Sequence, residues 1–226
     1  MPYGCGRRNN MKNTDSRWRR SKNSSVVFYK KKLFVKAKQF NKIFPLDDYI
    51  GELIGDQQEV WIADVGAGMF STTGSTWKDV KIHLYPSDVL SETFNQLLKD
   101  EKVIPLIPVA YEDMTYLSYP ANFFDIVHCA NALDHCARPM EAIAEMYRVC
   151  KPGGWIILKH FENVGVFMDY KGLHLWNIQK VGDEAVIWNQ YQSFTLSHLY
   201  DHVTITSAYM AGTKPMVQNI IRIHKV

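Results

Sequence analysis

The run Val60-Trp61-Ile62-Ala63-Asp64-Val65-Gly66-Ala67-Gly68-Met69 constrains the fold more than any other stretch of the chain. A short apolar run bounded by glycine is the pattern of a buried strand in a parallel sheet. Gly66 and Gly68 remove two side chains where the chain turns sharply and a ligand can approach the backbone. Asp64 falls at the carboxyl end of that strand, where open α/β sheets bind ligands. A Gly-x-Gly turn by itself also fits an ordinary strand-turn-helix corner, so the rest of the chain has to decide.

The rest of the chain alternates. Apolar residues at helical spacing (Leu33, Phe34, Ala37, Phe40, Phe44) predict a helix over 33–44. Asp47 is placed to cap a second helix whose face is Tyr49, Ile50, Leu53 and Ile54 and whose end is Gly55. After the strand at 60–65, residues 69–79 are too rich in Ser, Thr and Gly for more than a loop. Strands are predicted at 82–86, 103–110, 123–130 and 155–159, with helices at 91–99 and 139–149. Lys151-Pro152-Gly153-Gly154 reads as a tight turn. This order predicts an α/β fold, an open, mostly parallel sheet with helices on both faces. Beyond Lys159 the alternation stops. A hairpin about Gly182-Asp183 is expected within 174–188, then a short helix at 195–200 and strands at 203–209 and 217–224.

The length of 226 residues suits one such domain, here 26–226, with a core at 45–160 and a β-rich region at 161–226. No apolar run approaches the ~20 residues of a membrane span. The N-terminus has no apolar signal-peptide core, so a cytoplasmic protein is expected. Cys5, Cys129, Cys136 and Cys150 show no metal-ligand spacing and read as reduced thiols, mostly buried.

The formal charge of +3 hides an asymmetry. Residues 1–38 carry twelve Lys or Arg against Asp15 alone, and the remaining residues are acidic. Residues 1–25 read as a basic, disordered arm. Such an arm suits an anionic partner, or simply stays solvated.

Four polar residues stand just past predicted strands. Asp64 and its glycine turn close the first strand. Asp88 closes the second, at a spacing that lets an acid accept from both hydroxyls of a ribose. Asp113 closes the third, placed to accept from the amino group of an adenine, with the Met114 amide free to donate to the same ring. Asn131 closes the fourth. A ligand with a ribose, an adenine and a polar tail fits this row.

At this point the chain resembles the class I S-adenosylmethionine-dependent methyltransferases. Five segments carry the resemblance in the family's order: DVGAGMFS at 64–71, PSDVL at 86–90, AYEDM at 110–114, FFDIVHCANALDH at 123–135 and EMYRVCKPGGWIIL at 145–158. It implies a Rossmann-like fold and S-adenosyl-L-methionine as cofactor. Asp64, Gly66 and Gly68 would hold its methionine part, Asp88 the ribose, Asp113 and Met114 the adenine. Asn131 would lie near the sulfur. Phe70 stands where the family has a third glycine, and Asp88 replaces the commoner glutamate. The last third, with YKGLHLWN at 170–177 and VIWN at 186–189, resembles a subgroup found among glycan-building enzymes of bacteria and large algal viruses. That likeness implies O-methylation of a sugar hydroxyl. Tyr170, Leu173, Trp176 and Trp188 are equally well read as packing residues. Aromatic rings beside polar residues would also suit a sugar.

Methyl transfer to a neutral hydroxyl requires alignment and removal of one proton. Asp134-His135 after the fourth strand and His160 after the fifth are the candidates for that work. Glu162, Tyr170, His174 and Trp176 are candidate substrate contacts. These acids and histidines leave a divalent cation open, but no compact ligand motif supports one. A nucleic-acid substrate is not expected, because the basic arm lies outside the domain and no aromatic-basic platform lies within it. A nicotinamide site would want the complete G-x-G-x-x-G turn. A non-catalytic interaction domain would have no need of Asp64, Asp88 and Asp113 together.

Overall fold

The computed structural model describes residues 6–210 and 216–226. Residues 1–5, the tip of the basic arm with Cys5, lie outside the described residues. In chain order the helices are α1 (Gly6–Phe40), α2 (Asp48–Gly51), α3 (Ser91–Asp100), α4 (Pro139–Val149) and α5 (Val164–Phe167). The strands are β1 (Glu59–Val65), β2 (Lys81–Ser87), β3 (Phe124–Ala130), β4 (Cys150–Phe161), β5 (Asn177–Val181), β6 (Glu184–Trp188), β7 (Ser193–Thr195), β8 (Val203–Met210) and β9 (Met216–His224). The central sheet has the order β2-β1-β3-β4-β9-β8. Its first four strands run parallel, and β9 and β8 add antiparallel pairs at one edge. The parallel strands set Val65, Ser87, Ala130 and Phe161 at a common carboxyl edge.

Strand periodicity of two divides the core between the sheet faces. Ala63, Val127, Ile156 and Leu158 share a buried cluster with Ala142, Ile143, Met146 and Val149 of α4. The alternate residues Val60, Ile62, Ile126 and Ile157 pack with Leu46, Ile50 and Ile54 around α2. A third cluster joins Leu33 to Met69, Phe70, Leu90, Phe94, Leu97 and Leu98. β5, β6 and β7 form a separate antiparallel sheet, whose Ile178, Ala185 and Ile187 join the first cluster.

Four expectations are corrected. First, residues 6–25, expected to be disordered, continue α1. Nothing between Arg7 and Phe40 is Gly or Pro, so no residue in that run breaks the helix. Second, no strand forms at 103–110. The segment keeps a single bridge, Ser87 to Ala110, with the Ala110 amide on the Pro86 carbonyl at 2.9 Å. Pro105 and Pro108 supply no amide hydrogen for a ladder. Third, Asp47 occupies the cap position of α2 but makes no side-chain cap. Its carboxylate instead pairs with Lys159 at 3.1 Å. Fourth, β4 extends to Phe161, so His160 lies inside the strand opposite Asn219 and not past its end. The expected turn survives as an excursion: the register jumps from Phe124↔Cys150 to Ile126↔Trp155.

Candidate functional site

The glycine turn is held from three sides. The Gly66 and Ala67 amides donate to the Ser87 carbonyl at 2.8 and 2.9 Å. Gly66 (φ +76°) and Gly68 (φ +70°) take left-handed conformations. Asp64 is buried, and both its oxygens are engaged: Oδ1 lies 2.8 Å from His128 Nδ1, and Oδ2 accepts from Ser71 Oγ at 2.7 Å. His128 sits opposite Asp64 in the β1–β3 register, and its Nε2 is 3.0 Å from the Tyr49 hydroxyl. The Ser71 hydroxyl also meets the Thr73 hydroxyl at 2.9 Å. Asp64 therefore fixes the turn through a Tyr49–His128–Asp64–Ser71–Thr73 chain. His128, Ser71 and Tyr49 were not predicted. The one available signal was His128, a lone polar residue in an otherwise apolar buried run.

Asp88 stands directly after β2. Its Oδ2 accepts from the Gly68 amide at 2.9 Å and its Oδ1 from the Leu90 amide at 2.7 Å. Burial pushes its carboxyl above the ordinary value, against the pull of those two amides. A carboxylate offers about four acceptor sites, so two amides leave capacity for a ribose. Met114 reaches Gly66, placing the predicted adenine segment at the turn. Asp113 is exposed, and its Oδ1 accepts from the Thr115 amide at 2.8 Å and hydroxyl at 2.7 Å. Asn131 (φ +49°) is exposed and accepts from the Phe161 amide at 3.2 Å, joining the ends of β3 and β4.

The second constellation centres on Asp134, in the short 3-10 turn after β3. Its carboxylate is buried, and Oδ2 lies 2.7 Å from His174 Nδ1 and 3.4 Å from His135 Nε2. The two histidine nitrogens are 3.2 Å apart. Burial alone would raise the Asp134 carboxyl, but the His174 hydrogen bond and the neighbouring histidines hold it below the ordinary value. Burial lowers His135, with Asp134 opposing. One ligand atom from each of Asp134, His135 and His174 lies within 4.8 Å of the other two, close enough for the three to share a cation.

His160 is drawn into this neighbourhood but not into solvent. It is 1% exposed, its Nδ1 is 4.0 Å from Asp134 Oδ1, and its Nε2 has no hydrogen-bond partner among the described residues. Burial lowers its pKa to about 4 from 6.5. Between those two values the unfolded chain binds a proton that the folded chain refuses. Stability therefore falls as pH drops through that window, by up to about 3 kcal/mol. Urea midpoints near neutrality and near pH 4.5 should show this loss, and His160→Phe should flatten it.

The predicted substrate residues separate. His174 joins Asp134, as above, and the Leu175 amide donates to the Asp134 carbonyl at 2.9 Å. Trp176 is buried, with Nε1 donating to the Cys136 carbonyl at 2.9 Å. Tyr170 accepts from Asn177 Nδ2 at 2.9 Å. Both tie the segment before β5 to the rest of the domain. Glu162 is half-buried, its amide bound to the Val217 carbonyl at 2.8 Å.

Two constellations thus share the carboxyl edge of the parallel sheet: a glycine turn gripped by Asp88, and a carboxylate with two imidazoles. Residues 63–158 match the family model described as a methyltransferase domain. The chain has the Rossmann-like methyltransferase fold. A candidate S-adenosyl-L-methionine-dependent methyltransferase of Methanococcus maripaludis aligns with a TM-score of 0.50 at 13% identity, covering 91% of this chain and 93% of that one. The phosphoethanolamine N-methyltransferase 2 of Haemonchus contortus, solved with phosphomonomethylethanolamine and S-adenosylhomocysteine, aligns at 0.52 and 11% identity, covering 78% of this chain and 51% of that one. Among curated proteins, the ubiquinone/menaquinone biosynthesis C-methyltransferase of Neisseria meningitidis is 28% identical over 111 residues, 49% of this chain and 36% of that protein. The Coxiella burnetii protein of the same name is 28% identical over 112 residues, 50% of this chain and 36% of that protein. The matched segment spans about a third of those relatives. Among the described residues, no helix is long and apolar enough to cross a membrane.

Proposed function

We propose that this chain transfers a methyl group from S-adenosyl-L-methionine to a hydroxyl of a sugar or glycan precursor. The observation that carries this reading is the pairing, at one sheet edge, of the Asp88-gripped glycine turn with the Asp134–His174 hydrogen bond. In this reading the Gly66–Gly68 turn, set by Asp64, receives the methionine part of the cofactor. Asp88 takes the ribose, Asp113 and the Met114 amide face the adenine, and Asn131 flanks the sulfur.

The cofactor supplies an electrophilic methyl group when bound, and the chain's own work is orientation and proton removal. A carboxylate only accepts hydrogen bonds, so the hydrogen between Asp134 and His174 sits on His174 Nδ1. That leaves His174 Nε2 with its lone pair, and no hydrogen bond to it is found among the described residues. His174 is thus the proton acceptor in this reading and Asp134 the group that orients it. His135 closes the other side. His160, buried and without a route to substrate, is not given the role that its sequence position suggested. Tyr170 and Trp176 act by packing.

A proton acceptor of this kind makes a cation unnecessary. Dialysis against EDTA should leave turnover unchanged, whereas loss restored by Mg²⁺ or Zn²⁺ would reassign the Asp134 cluster. Asp88→Ala should weaken S-adenosylhomocysteine binding by about 1–3 kcal/mol, the range for a lost buried hydrogen-bonding partner. Unchanged affinity in a titration calorimeter would remove Asp88 from the site.

The names of the curated relatives favour a second reading, methyl transfer to carbon in place of oxygen. The same cluster would serve it by taking the proton that the acceptor gives up. An acceptor screen with isotope-labelled cofactor separates the two. The panel is nucleotide sugars, deoxysugar glycans, small phenols and tRNA. Label on a sugar oxygen supports the first reading, label on an acceptor carbon the second, and label on tRNA alone overturns both.

A further inference from the structure

We propose that Tyr29 of α1 is a cofactor-binding residue and that α1 forms the outer wall of the cofactor cleft. The inference rests on the methyltransferase reading of the glycine turn. It concerns a helix outside the 63–158 segment that matches the family. Tyr29, Leu33, Ala37 and Phe40 make one helical stripe against Met69, Phe70, Leu90 and Phe94. Leu33 is 1% exposed, and the Tyr29 ring packs on Phe94 with centroids 4.6 Å apart. This anchoring delivers the Tyr29 hydroxyl onto Gly68, so closely that a Cβ at Gly68 would overlap it.

Gly68 is also the residue whose amide Asp88 accepts. The phenol therefore stands at the turn and beside the acid assigned to the ribose. Burial first, and the Asp88 charge second, push its pKa up to about 12, so it stays protonated and can donate. No hydrogen bond to that hydroxyl is found among the described residues. A mostly buried phenol usually has a partner, and the group expected next to it is the ribose or carboxylate of the cofactor. Asp88 offers acceptors only. Tyr29 adds a donor at the same place, which suits a ligand whose hydroxyls both donate and accept.

The test is calorimetric titration of the full chain with S-adenosylhomocysteine, with amide hydrogen exchange on the same samples. Tyr29→Phe keeps the ring on Phe94 and removes only the hydroxyl. It should weaken binding about three- to tenfold, the worth of one hydrogen bond. Ligand should slow exchange over residues 26–40 in the parent chain, and less so in the variant. Phe34→Ala, on the exposed side of α1, should bind like the parent. Equal affinity of parent and Tyr29→Phe, with exchange in α1 unchanged by ligand, would overturn the assignment while leaving the methyltransferase reading intact. No binding to the folded parent chain would instead overturn both.

Discussion

Asp134→Asn is expected to lower kcat by about a hundred- to ten-thousandfold, the usual contribution of a positioned general base. The substitution nearly preserves shape. It replaces an acceptor that faces His174 Nδ1 at 2.7 Å with an amide that can present a donor instead. His174 would then carry its hydrogen on Nε2, the atom that has to accept the substrate proton. Affinity for S-adenosylhomocysteine should stay within about twofold, because Asp134 belongs to the imidazole cluster and not to the glycine turn. Steady-state rates together with calorimetry check this. A variant that turns over at the parent rate would show that the Asp134–His174 pair does not move the proton.

Gly66→Ala should destabilise the fold by about 2–5 kcal/mol and abolish cofactor binding. Two costs add. A left-handed conformation, here φ +76°, costs a residue with a side chain roughly 1–2 kcal/mol. The new methyl group would also overlap the Ala132 Cβ, and overpacking typically adds about 1–3 kcal/mol. Ala132 has no flexible end to swing aside, because its Cβ is fixed to the backbone just past β3. Gly68→Ala offers a useful contrast. There the obstacle is the Tyr29 hydroxyl, the far end of a longer side chain, so part of the overlap can relax. Urea unfolding should rank Gly66→Ala below Gly68→Ala. The reverse order would mean that the Ala132 contact does not govern the turn.

The sheet was legible where burial and turn chemistry agree. Residues 60–68 announce a buried strand and a glycine turn, and 139–149 place four apolar residues on one helical face. The failures have particular causes. Residues 103–110 are as apolar as a strand, but Pro105 and Pro108 deny it a ladder. His160 looked like a residue past a strand end because the extension of β4 to Phe161 depends on pairing with β9, more than fifty residues later. The candidate site shows the same division. Asp64, Asp88 and Asp134 could be found because each follows or ends a strand. Their partners could not: His128 reaches Asp64 only through the β1–β3 register, and His174 reaches Asp134 across forty residues. Tyr29 was invisible for another reason, since its run is interrupted by Lys30, Lys31 and Lys32 and gives no sign of which turn the helix covers.

The most direct test is equilibrium titration of the folded chain with S-adenosylhomocysteine, in parallel with a reduced nicotinamide dinucleotide. Saturable, one-to-one binding of S-adenosylhomocysteine is expected, weakened by Asp88→Ala and lost in Gly66→Ala, with no binding of the nicotinamide. Failure to bind S-adenosylhomocysteine at millimolar concentration, or preference for the dinucleotide, would show that the glycine turn and Asp88 do not form an S-adenosyl-L-methionine site.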